Sequence, residues 1–193
     1  MTTLQQAPQI LTDVDELIQS KIKAGALRRE FDIKNKRIAD ALEEFMTRGG
    51  KSLRGAYVYV SAMSTGYIKD PIDFRKPNQD ILRFLPVALS IQFDHNWFLI
   101  HDDKEDDSLW RRGKPTLHIM HGEDLAMNYG DFLHALAQKS MIKGLPLWKP
   151  EIFSRMTKAR VEMVETTCFG QNYEFEKRRV PINQTTRKDV IEI

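Results

Sequence analysis

The sequence has only one cysteine, Cys168, among 193 residues. A single cysteine excludes a framework of internal disulfide bonds and is typical of proteins in reducing compartments. We interpret Cys168 as a small buried apolar residue rather than as a nucleophile. The N-terminal residues lack a basic segment followed by an apolar run, so no export signal is predicted and a cytoplasmic location is expected.

The sequence also contains no apolar segment long enough to cross a membrane. The most apolar stretch, residues 84–93, is interrupted by Pro86, Ser90 and Gln92 and falls short of the roughly 20 residues that cross a bilayer. A membrane span is therefore not expected. The excess of positive over negative charge is also small, because 29 Lys and Arg against 27 Asp and Glu leave a net charge of +2. No global field attracts nucleic acid, so any anion site must be local.

Alternating strand-like segments are absent, and apolar residues recur at helical spacing instead. This pattern predicts an all-α protein, and a hydrophobic content of 41% over 193 residues is sufficient for one folded domain. The predicted helices cover residues 11–24, 36–46, 51–67, a segment from 80 that is broken or kinked near Pro86, 123–143, 151–177, and a last one from about 186.

One stretch concentrates the chemistry of the chain and reads HNWFLIHDDKEDDSLWRRGKPT. Asp102, Asp103 and Asp106 are spaced i, i+1 and i+4, which places three carboxylates on one face at the end of a helix. Such close carboxylates remain ionised together most simply around a hard divalent cation. Arg111 and Arg112 follow, and paired guanidiniums suit phosphate oxygens. The stretch therefore predicts binding of metal and phosphate.

A second cationic pair precedes this stretch. Lys51 and Arg54 lie three residues apart near the start of a predicted helix, directly after Gly49 and Gly50. The N-terminus of a helix offers unpaired N–H groups and a positive dipole end, so cations there favour an anion site. Two solvated side chains in a first helical turn are the alternative.

Together these motifs resemble the trans-isoprenyl diphosphate synthases, the family that includes farnesyl and geranylgeranyl diphosphate synthases. An Asp-Asp-x-x-Asp sequence alone is weak evidence, but here Arg-Arg-Gly-Lys-Pro-Thr follows it at residues 111–116 and Gly-Gly-Lys-x-x-Arg precedes it at 49–54. Residues 128–131 and 169–171 match later landmarks of the family in the right order. The resemblance implies an isoprenoid-synthase-type helical bundle around a central cavity.

The resemblance also implies roles for individual residues. Asp102, Asp103 and Asp106 would be the catalytic residues and would hold Mg²⁺ ions that bridge to the diphosphate of an allylic substrate. The implied substrate-binding residues are Arg111 on that same diphosphate, Lys51, Arg54, His95 and Arg112 on the diphosphate of isopentenyl diphosphate, and Gln171 near the allylic site. Members of the family commonly form homodimers, so a homodimer is expected.

Product length is expected to depend on the residues one turn before the aspartates. Trp97 and Phe98 stand at positions where bulky side chains block the elongation tunnel in the family, which predicts a product of about farnesyl length or shorter. Core packing of two aromatic side chains on an apolar helix is the alternative.

The sequence departs from the family at three points. Gly55 replaces the usual Pro and is expected to loosen the helix start, and Glu174 replaces the usual Asp after Gln171. The chain ends before the family's Lys-Thr pair and second aspartate-rich motif. The resemblance therefore predicts a single domain over residues 1–193 that is truncated at its C-terminus.

Three interpretations remain open at this point. The chain is part of a longer enzyme, or it is a noncatalytic or regulatory partner subunit that has lost half of the metal site. A terpene cyclase is the third, but an additional site for isopentenyl diphosphate at Lys51, Arg54 and Arg112 argues against it.

Overall fold

The fold is taken from a computed structural model that describes residues 7–50, 52–69, 72–179 and 181. Lys51 and the helix expected from about residue 186 lie outside the described residues. The chain divides into two compact units, one ending at Leu147 and the other beginning at Trp148. A single domain over residues 1–193 stays a prediction.

Helices make up nearly all of the described regular structure. The first unit contains α1 (Ala7–Ser20), α2 (Ala26–Phe31), α3 (Lys36–Thr47), α4 (Leu53–Ser64), α5 (Gln79–Leu82), α6 (Leu85–Glu105), α7 (Leu117–His121), α8 (Glu123–Gly144) and a 3₁₀ helix (Leu145–Leu147). Between α6 and α7, the strands β1 (Trp110–Arg111) and β2 (Lys114–Pro115) pair antiparallel. The second unit contains α9 (Pro150–Arg178). The all-α prediction is confirmed, although helical periodicity predicts neither the hairpin nor the short helices α2 and α7.

Helix α6 is the central element of the first unit. It packs most extensively on α8 and α4, and it also contacts α1, α5 and α7. Its fully buried Phe93 meets Phe31 of α2 edge to face, with ring centroids 5.2 Å apart. Pro86 lies in the first turn of α6, where its missing N–H leaves no helical bond unmade, so the predicted break falls between α5 and α6. Helix α6 therefore leads from the core to the acidic motif at its C-terminal end.

Local capping signals define the start of α3. The side chain of Asn35 accepts hydrogen bonds from the N–H groups of Arg37 and Ile38 at 2.9 and 3.4 Å, which satisfies donors that the first turn leaves without partners. Leu42 and Phe45 then face the core. Helix α3 ends at Thr47, two residues before Gly49 and Gly50. It therefore positions the segment that leads into α4.

Helix α4 buries three small residues, Gly55, Ala56 and Ala62, together with Tyr59. A Cβ atom on Gly55 would lie 2.5 Å from Cδ1 of Ile18 and 3.2 Å from the carbonyl oxygen of Ala88. The missing side chain lets α4 approach α1 and α6 closely. Gly55 therefore has a packing role that the sequence does not indicate.

Helix α9 begins at Pro150, which is favoured in the first turn of a helix. Cys168 of this helix is exposed, so its interpretation as a buried apolar residue is wrong. Among all described helices, none combines the length and the apolar character that crossing a bilayer requires.

Candidate functional site

The acidic motif at the end of α6 is bridged by Arg111 of β1. The Nε atom of Arg111 donates to Oδ1 of Asp103 at 2.6 Å, and its Nη2 atom donates to Oδ2 of Asp102 at 2.9 Å. Nη2 also lies 2.6 Å from Oδ1 of Asp103. Two adjacent carboxylates therefore share one guanidinium.

Asp103 is the buried member of this pair. Its side chain is 1% exposed, whereas that of Asp102 is 36% exposed. Burial raises the pKa of Asp103, although the hydrogen bond and the charge of Arg111 act in the opposite direction. Its Oδ2 atom is buried and has no hydrogen-bond partner among the described residues. Carboxylate oxygens are preferred ligands of Mg²⁺, so this unsatisfied oxygen fits a cation site.

Asp106 lies one turn further on, at the C-cap of α6. Its N–H group bonds to the carbonyl oxygens of Asp102 and Lys104. In the part of the chain that the structure describes, no group of three or more His, Cys, Asp or Glu side chains converges as a metal site. The three carboxylates are thus not gathered at one point here, and Arg111 holds two of them.

The hairpin after the acidic motif turns at Arg112 and Gly113. These two residues have φ angles of +52° and +76°, and positive φ at both central positions defines a type I′ turn, which suits a two-residue hairpin. Arginine rarely adopts this conformation. The guanidinium of Arg112 lies against Gly50, where a Cβ atom would come within 3.2 Å of its central carbon. Gly50 therefore makes room for Arg112.

A polar cavity of about 190 Å³ lies beside this guanidinium. Its lining residues are Gln19, Met46, Gly49, Gly50, Ser52, Leu53, Arg54, Gln92, His95 and Arg112. The structure thus brings together three of the residues that the resemblance assigns to one diphosphate. Within the described residues, neither Arg54 nor Arg112 is ion-paired with a carboxylate, so the cavity is cationic.

His95 contributes a neutral ring to this cavity. Nη1 of Arg54 lies 3.0 Å from Nε2 of His95, and because a guanidinium can only donate, Nε2 accepts and the ring proton is assigned to Nδ1. Burial, reinforced by Arg54, Arg112 and Arg111, lowers the pKa of His95 to about 4. Burial also lowers the pKa of Arg112, and Arg111 is the largest charge that adds to this effect. A bound anion would relieve this repulsion.

The segment that carries Arg54 is fixed by α1. Oδ1 of Asp15 accepts hydrogen bonds from the N–H group and the hydroxyl of Ser52, at 3.0 and 2.6 Å. These bonds satisfy a donor at the start of α4 from outside the helix. Lys51 lies outside the described residues, so its role in anion binding stays a prediction.

Trp97 and Phe98 stack on each other, with ring centroids 4.6 Å apart. Trp97 also packs on His134 of α8 at 4.2 Å, and its Nε1–H group donates to Nε2 of His101 at 3.1 Å. Gly130 of α8 makes room for this arrangement, because a Cβ atom there would lie 2.6 Å from Cδ2 of His101. The indole is therefore held between α6 and α8.

A second pair of polar side chains, Asp94 and His134, lies where α6 packs on α8, and the sequence motifs do not include it. Asp94 is fully buried, and its Oδ1 atom lies 3.0 Å from Nδ1 of His134. Because 40 residues separate the two in sequence, spacing alone does not connect them. A charged residue within the apolar part of α6 is the signal that could have directed attention to Asp94.

Gln171 lies on α9 in the second unit, and its Nε2 atom is buried without a partner among the described residues. Glu174 accepts a hydrogen bond at 3.0 Å from Nε of Arg178, one turn further along α9. The substrate-binding role of Gln171 stays a prediction.

Comparison with known proteins places the chain in a family. Residues 35–192 match the Polyprenyl synthetase family. The chain is 32% identical over 142 residues to the short chain isoprenyl diphosphate synthase of Methanocaldococcus jannaschii, an alignment of 73% of this chain and 40% of that protein. It is 30% identical over 156 residues to the geranylgeranyl diphosphate synthase of Saccharolobus solfataricus, covering 77% and 43% of the two chains.

Among solved structures, the geranylgeranyl pyrophosphate synthetase from Pyrococcus horikoshii matches with a TM-score of 0.74 and 26% identity, over 97% of this chain and 52% of that chain. The protein belongs to the polyprenyl synthetase family, since the family match includes both the glycine-rich segment before α4 and the acidic motif. It has the helical fold of the isoprenoid synthases. The matched part of the chain spans less than half the length of the two curated relatives named above, 40% and 43%.

Proposed function

We propose that the protein is a prenyltransferase of isoprenoid biosynthesis, which condenses an allylic diphosphate with isopentenyl diphosphate to give a short-chain isoprenyl diphosphate. One observation carries the proposal: consecutive residues of one hairpin reach two different sites. Arg111 bridges the acidic pair of α6, while Arg112 lines the cationic cavity. A reaction between two diphosphates needs two anion sites held close together.

The cationic cavity is proposed to bind the diphosphate of isopentenyl diphosphate. Arg54 and Arg112 would replace their mutual repulsion with charge-assisted hydrogen bonds to phosphate oxygens, which are among the stronger hydrogen bonds in proteins. His95 would supply a neutral donor through Nδ1 or, after protonation, a further charge. Lys51 is included in this proposal on the resemblance alone.

The acidic motif is proposed to bind the allylic diphosphate together with Mg²⁺. Asp102, Asp103 and Asp106 would hold the ion, which neutralises charge on the departing diphosphate when it is bound. The charge balance supports a cation, because two carboxylates and one guanidinium leave a net negative charge that repels an incoming diphosphate. The unsatisfied Oδ2 of Asp103 supports the same conclusion.

The protein's own groups have distinct tasks in this reaction. When the allylic carbon–oxygen bond breaks, its electron pair leaves with the diphosphate, and Arg111 would donate hydrogen bonds to that group after releasing the aspartates. The double bond of isopentenyl diphosphate, oriented through Arg54 and Arg112, attacks the allylic cation, and loss of a proton completes the new chain. Apolar surroundings would protect the cation from water.

Trp97 and Phe98 are proposed to limit the product to about farnesyl length or shorter. Their stacking, together with the hydrogen bond from Trp97 to His101, supports a rigid wall one turn before the aspartates. Replacement of either ring by alanine is expected to lengthen the product, as measured by chromatography of the hydrolysed prenyl alcohols. Unchanged product length in both variants would leave the rings with a packing role only.

The proposal is tested by incubating the purified chain with isopentenyl diphosphate, dimethylallyl or geranyl diphosphate, and Mg²⁺. We expect a short-chain isoprenyl diphosphate that forms only when Mg²⁺ is present. Asp103→Asn should abolish turnover, whereas Asp107→Asn should retain it. Asp107 is an exposed carboxylate just after the end of α6 and pairs with Lys104. Turnover that survives Asp103→Asn would refute the assigned site.

A noncatalytic or regulatory partner subunit is the alternative interpretation, and the two curated relatives, which are named as isoprenyl and geranylgeranyl diphosphate synthases, do not favour it. Binding of both diphosphates without turnover, by a chain whose intact mass matches the sequence, would support it.

A homodimer is proposed from the family resemblance, and sedimentation equilibrium tests it. A cytoplasmic location stays a prediction from the sequence.

A further inference from the structure

The hairpin that carries Arg111 and Arg112 is too short to be stable alone. Each strand has two residues, and an isolated hairpin is marginal in water even when it is longer. Its turn also contains Arg112 with a φ of +52°, which adds backbone strain. Contacts outside the hairpin must therefore hold it in place.

One such contact comes from Arg48, directly after the end of α3. Its Nη1 atom donates to the carbonyl oxygen of Pro115, in β2, at 2.7 Å. The side chain of Arg48 is fully buried, and its guanidinium lies over the ring of Phe45 at 5.3 Å. A buried, stacked guanidinium can adopt few positions, so its hydrogen bond fixes the position of the strand.

Glu44 of α3 acts together with Arg48, and we call these two residues the anchor of the hairpin. Nε of Arg48 donates to Oε1 and Oε2 of Glu44 at 3.1 and 2.9 Å, and Nη2 of Arg48 donates to Oε2 at 2.7 Å. Oε1 of Glu44 also accepts from Nζ of Lys114 at 2.8 Å. One carboxylate thus orients Arg48 and holds β2 directly, so both residues of β2 are tied to α3.

We propose that Arg48 and Glu44 are positioning residues that hold the 110–115 hairpin so that Arg111 and Arg112 are correctly aimed at the two diphosphates. This role rests on the proposed function. Buried ion pairs add little net stability, because desolvation offsets most of the attraction, but they define geometry. The pair therefore acts on ligand affinity through the hairpin and does not touch the ligand.

The test combines ligand binding with local hydrogen exchange. Inorganic pyrophosphate is titrated by calorimetry, with Mg²⁺, into the wild type and into Arg48→Met, Glu44→Gln and Arg75→Met. Arg75 is an exposed arginine that also pairs with acidic residues, so Arg75→Met is the matched control. We expect the dissociation constant to rise about tenfold in Arg48→Met, to rise less in Glu44→Gln, and to stay unchanged in the control.

Hydrogen exchange distinguishes positioning from general destabilisation. Without ligand, amides of residues 109–116 should exchange faster in Arg48→Met and Glu44→Gln, while peptides of α6 and α8 keep their protection. Unchanged affinity or unchanged exchange of the hairpin would overturn the proposal. If Arg48→Met loses protection throughout, Glu44→Gln decides by the same criteria.

The proposed function can fail separately from this inference. A wild type that does not bind pyrophosphate contradicts the diphosphate sites themselves and, with them, the role of the anchor. The other outcome has three parts: the wild type binds pyrophosphate, Arg54→Gln weakens this binding, and both anchor variants bind as tightly as the wild type. This outcome refutes only the positioning role of Arg48 and Glu44.

Discussion

Arg112 combines an unfavourable backbone conformation with a side chain that lines the cationic cavity. Its φ of +52° costs roughly 1 kcal/mol in a residue other than Gly, Asn or Asp. Arg112→Asn is expected to leave the free energy of unfolding unchanged or to raise it by up to about 1 kcal/mol, because Asn tolerates this conformation. The same change should weaken pyrophosphate binding about tenfold or more, since it removes charge-assisted hydrogen bonds.

Urea unfolding and calorimetric titration measure the two effects of Arg112→Asn independently. A gain in stability with a loss of affinity indicates that the strained turn is retained for binding. A protein that becomes less stable and binds pyrophosphate as before would show that the arginine serves the hairpin and not the cavity.

His95 predicts a pH dependence of stability. Its pKa is about 4 in the folded protein and about 6.5 in an unfolded chain. The unfolded chain therefore takes up the proton first, so the contribution of neutral His95 is fully present above pH 6.5 and declines as the pH falls towards 4. With about 1.4 kcal/mol for each pKa unit, the loss is at most about 3 kcal/mol.

His95→Gln removes this titration and keeps an acceptor for Arg54. Because the carboxylates titrate in both proteins, the difference in their free energies of unfolding isolates the histidine. Between pH 7 and pH 5 the wild type should lose more stability than His95→Gln, as measured by urea unfolding at each pH. A difference that does not change over this range would contradict the lowered pKa.

At the scale of single elements, the contact between α6 and α8 depends on Gly130. A Cβ atom at this position would lie 2.6 Å from Cδ2 of His101 and 3.3 Å from Cδ1 of Trp97, and overpacking of this kind costs about 1–3 kcal/mol. The higher helix propensity of alanine offsets up to about 1 kcal/mol of this cost. Gly130→Ala is therefore expected to lower the free energy of unfolding by about 1–2 kcal/mol and to change the tryptophan fluorescence.

Asn128→Ala provides the control for Gly130→Ala, because Asn128 is an exposed residue of the same helix. It gains helix propensity without a steric conflict, so its stability should rise by a few tenths of a kcal/mol. If both variants gain stability, then α8 can move away from α6 and the contact does not hold Trp97.

The elements that sequence reasoning predicts best are those defined by local signals. Helix α3 was expected at residues 36–46 and extends over Lys36–Thr47, because an Asn cap precedes it and a glycine pair follows it. The hairpin could not be predicted in this way. Its strands have two residues each, and the contacts from Arg48 and Glu44 come from 67 and 70 residues earlier in the chain.

The same distinction applies within the candidate site. The acidic spacing and the cations before α4 are visible in the sequence, and the structure brings Arg54 and Arg112 to one cavity. The bridge from Arg111 to Asp102 and Asp103 depends on where the hairpin folds back, which helical periodicity does not predict. A sequence therefore identifies the chemical groups, whereas tertiary contacts determine which of them meet.

At the scale of the whole molecule, the charge of the protein is nearly balanced, with a net charge of +2. Attraction of a diphosphate must then come from the local field of the cavity. Exposed charges are screened over about 8 Å at physiological ionic strength. The pKa of His95 is lowered first by burial and then by charges that are all local, those of Arg54, Arg112 and Arg111.

A combined variant tests whether the attraction is local. Lys34→Gln, Lys36→Gln and Arg75→Gln together change cationic side chains that are 85%, 71% and 65% exposed and that do not line the cavity. They remove three positive charges and make the formal net charge negative. Because salt screens exposed charges, we expect the pyrophosphate dissociation constant at 0.15 M salt to change less than about twofold. Arg54→Gln removes a single charge and should raise it about tenfold. An equal loss of pyrophosphate affinity in the two proteins would mean that the overall charge attracts the ligand. That result would contradict the assignment of the cavity as the anion site.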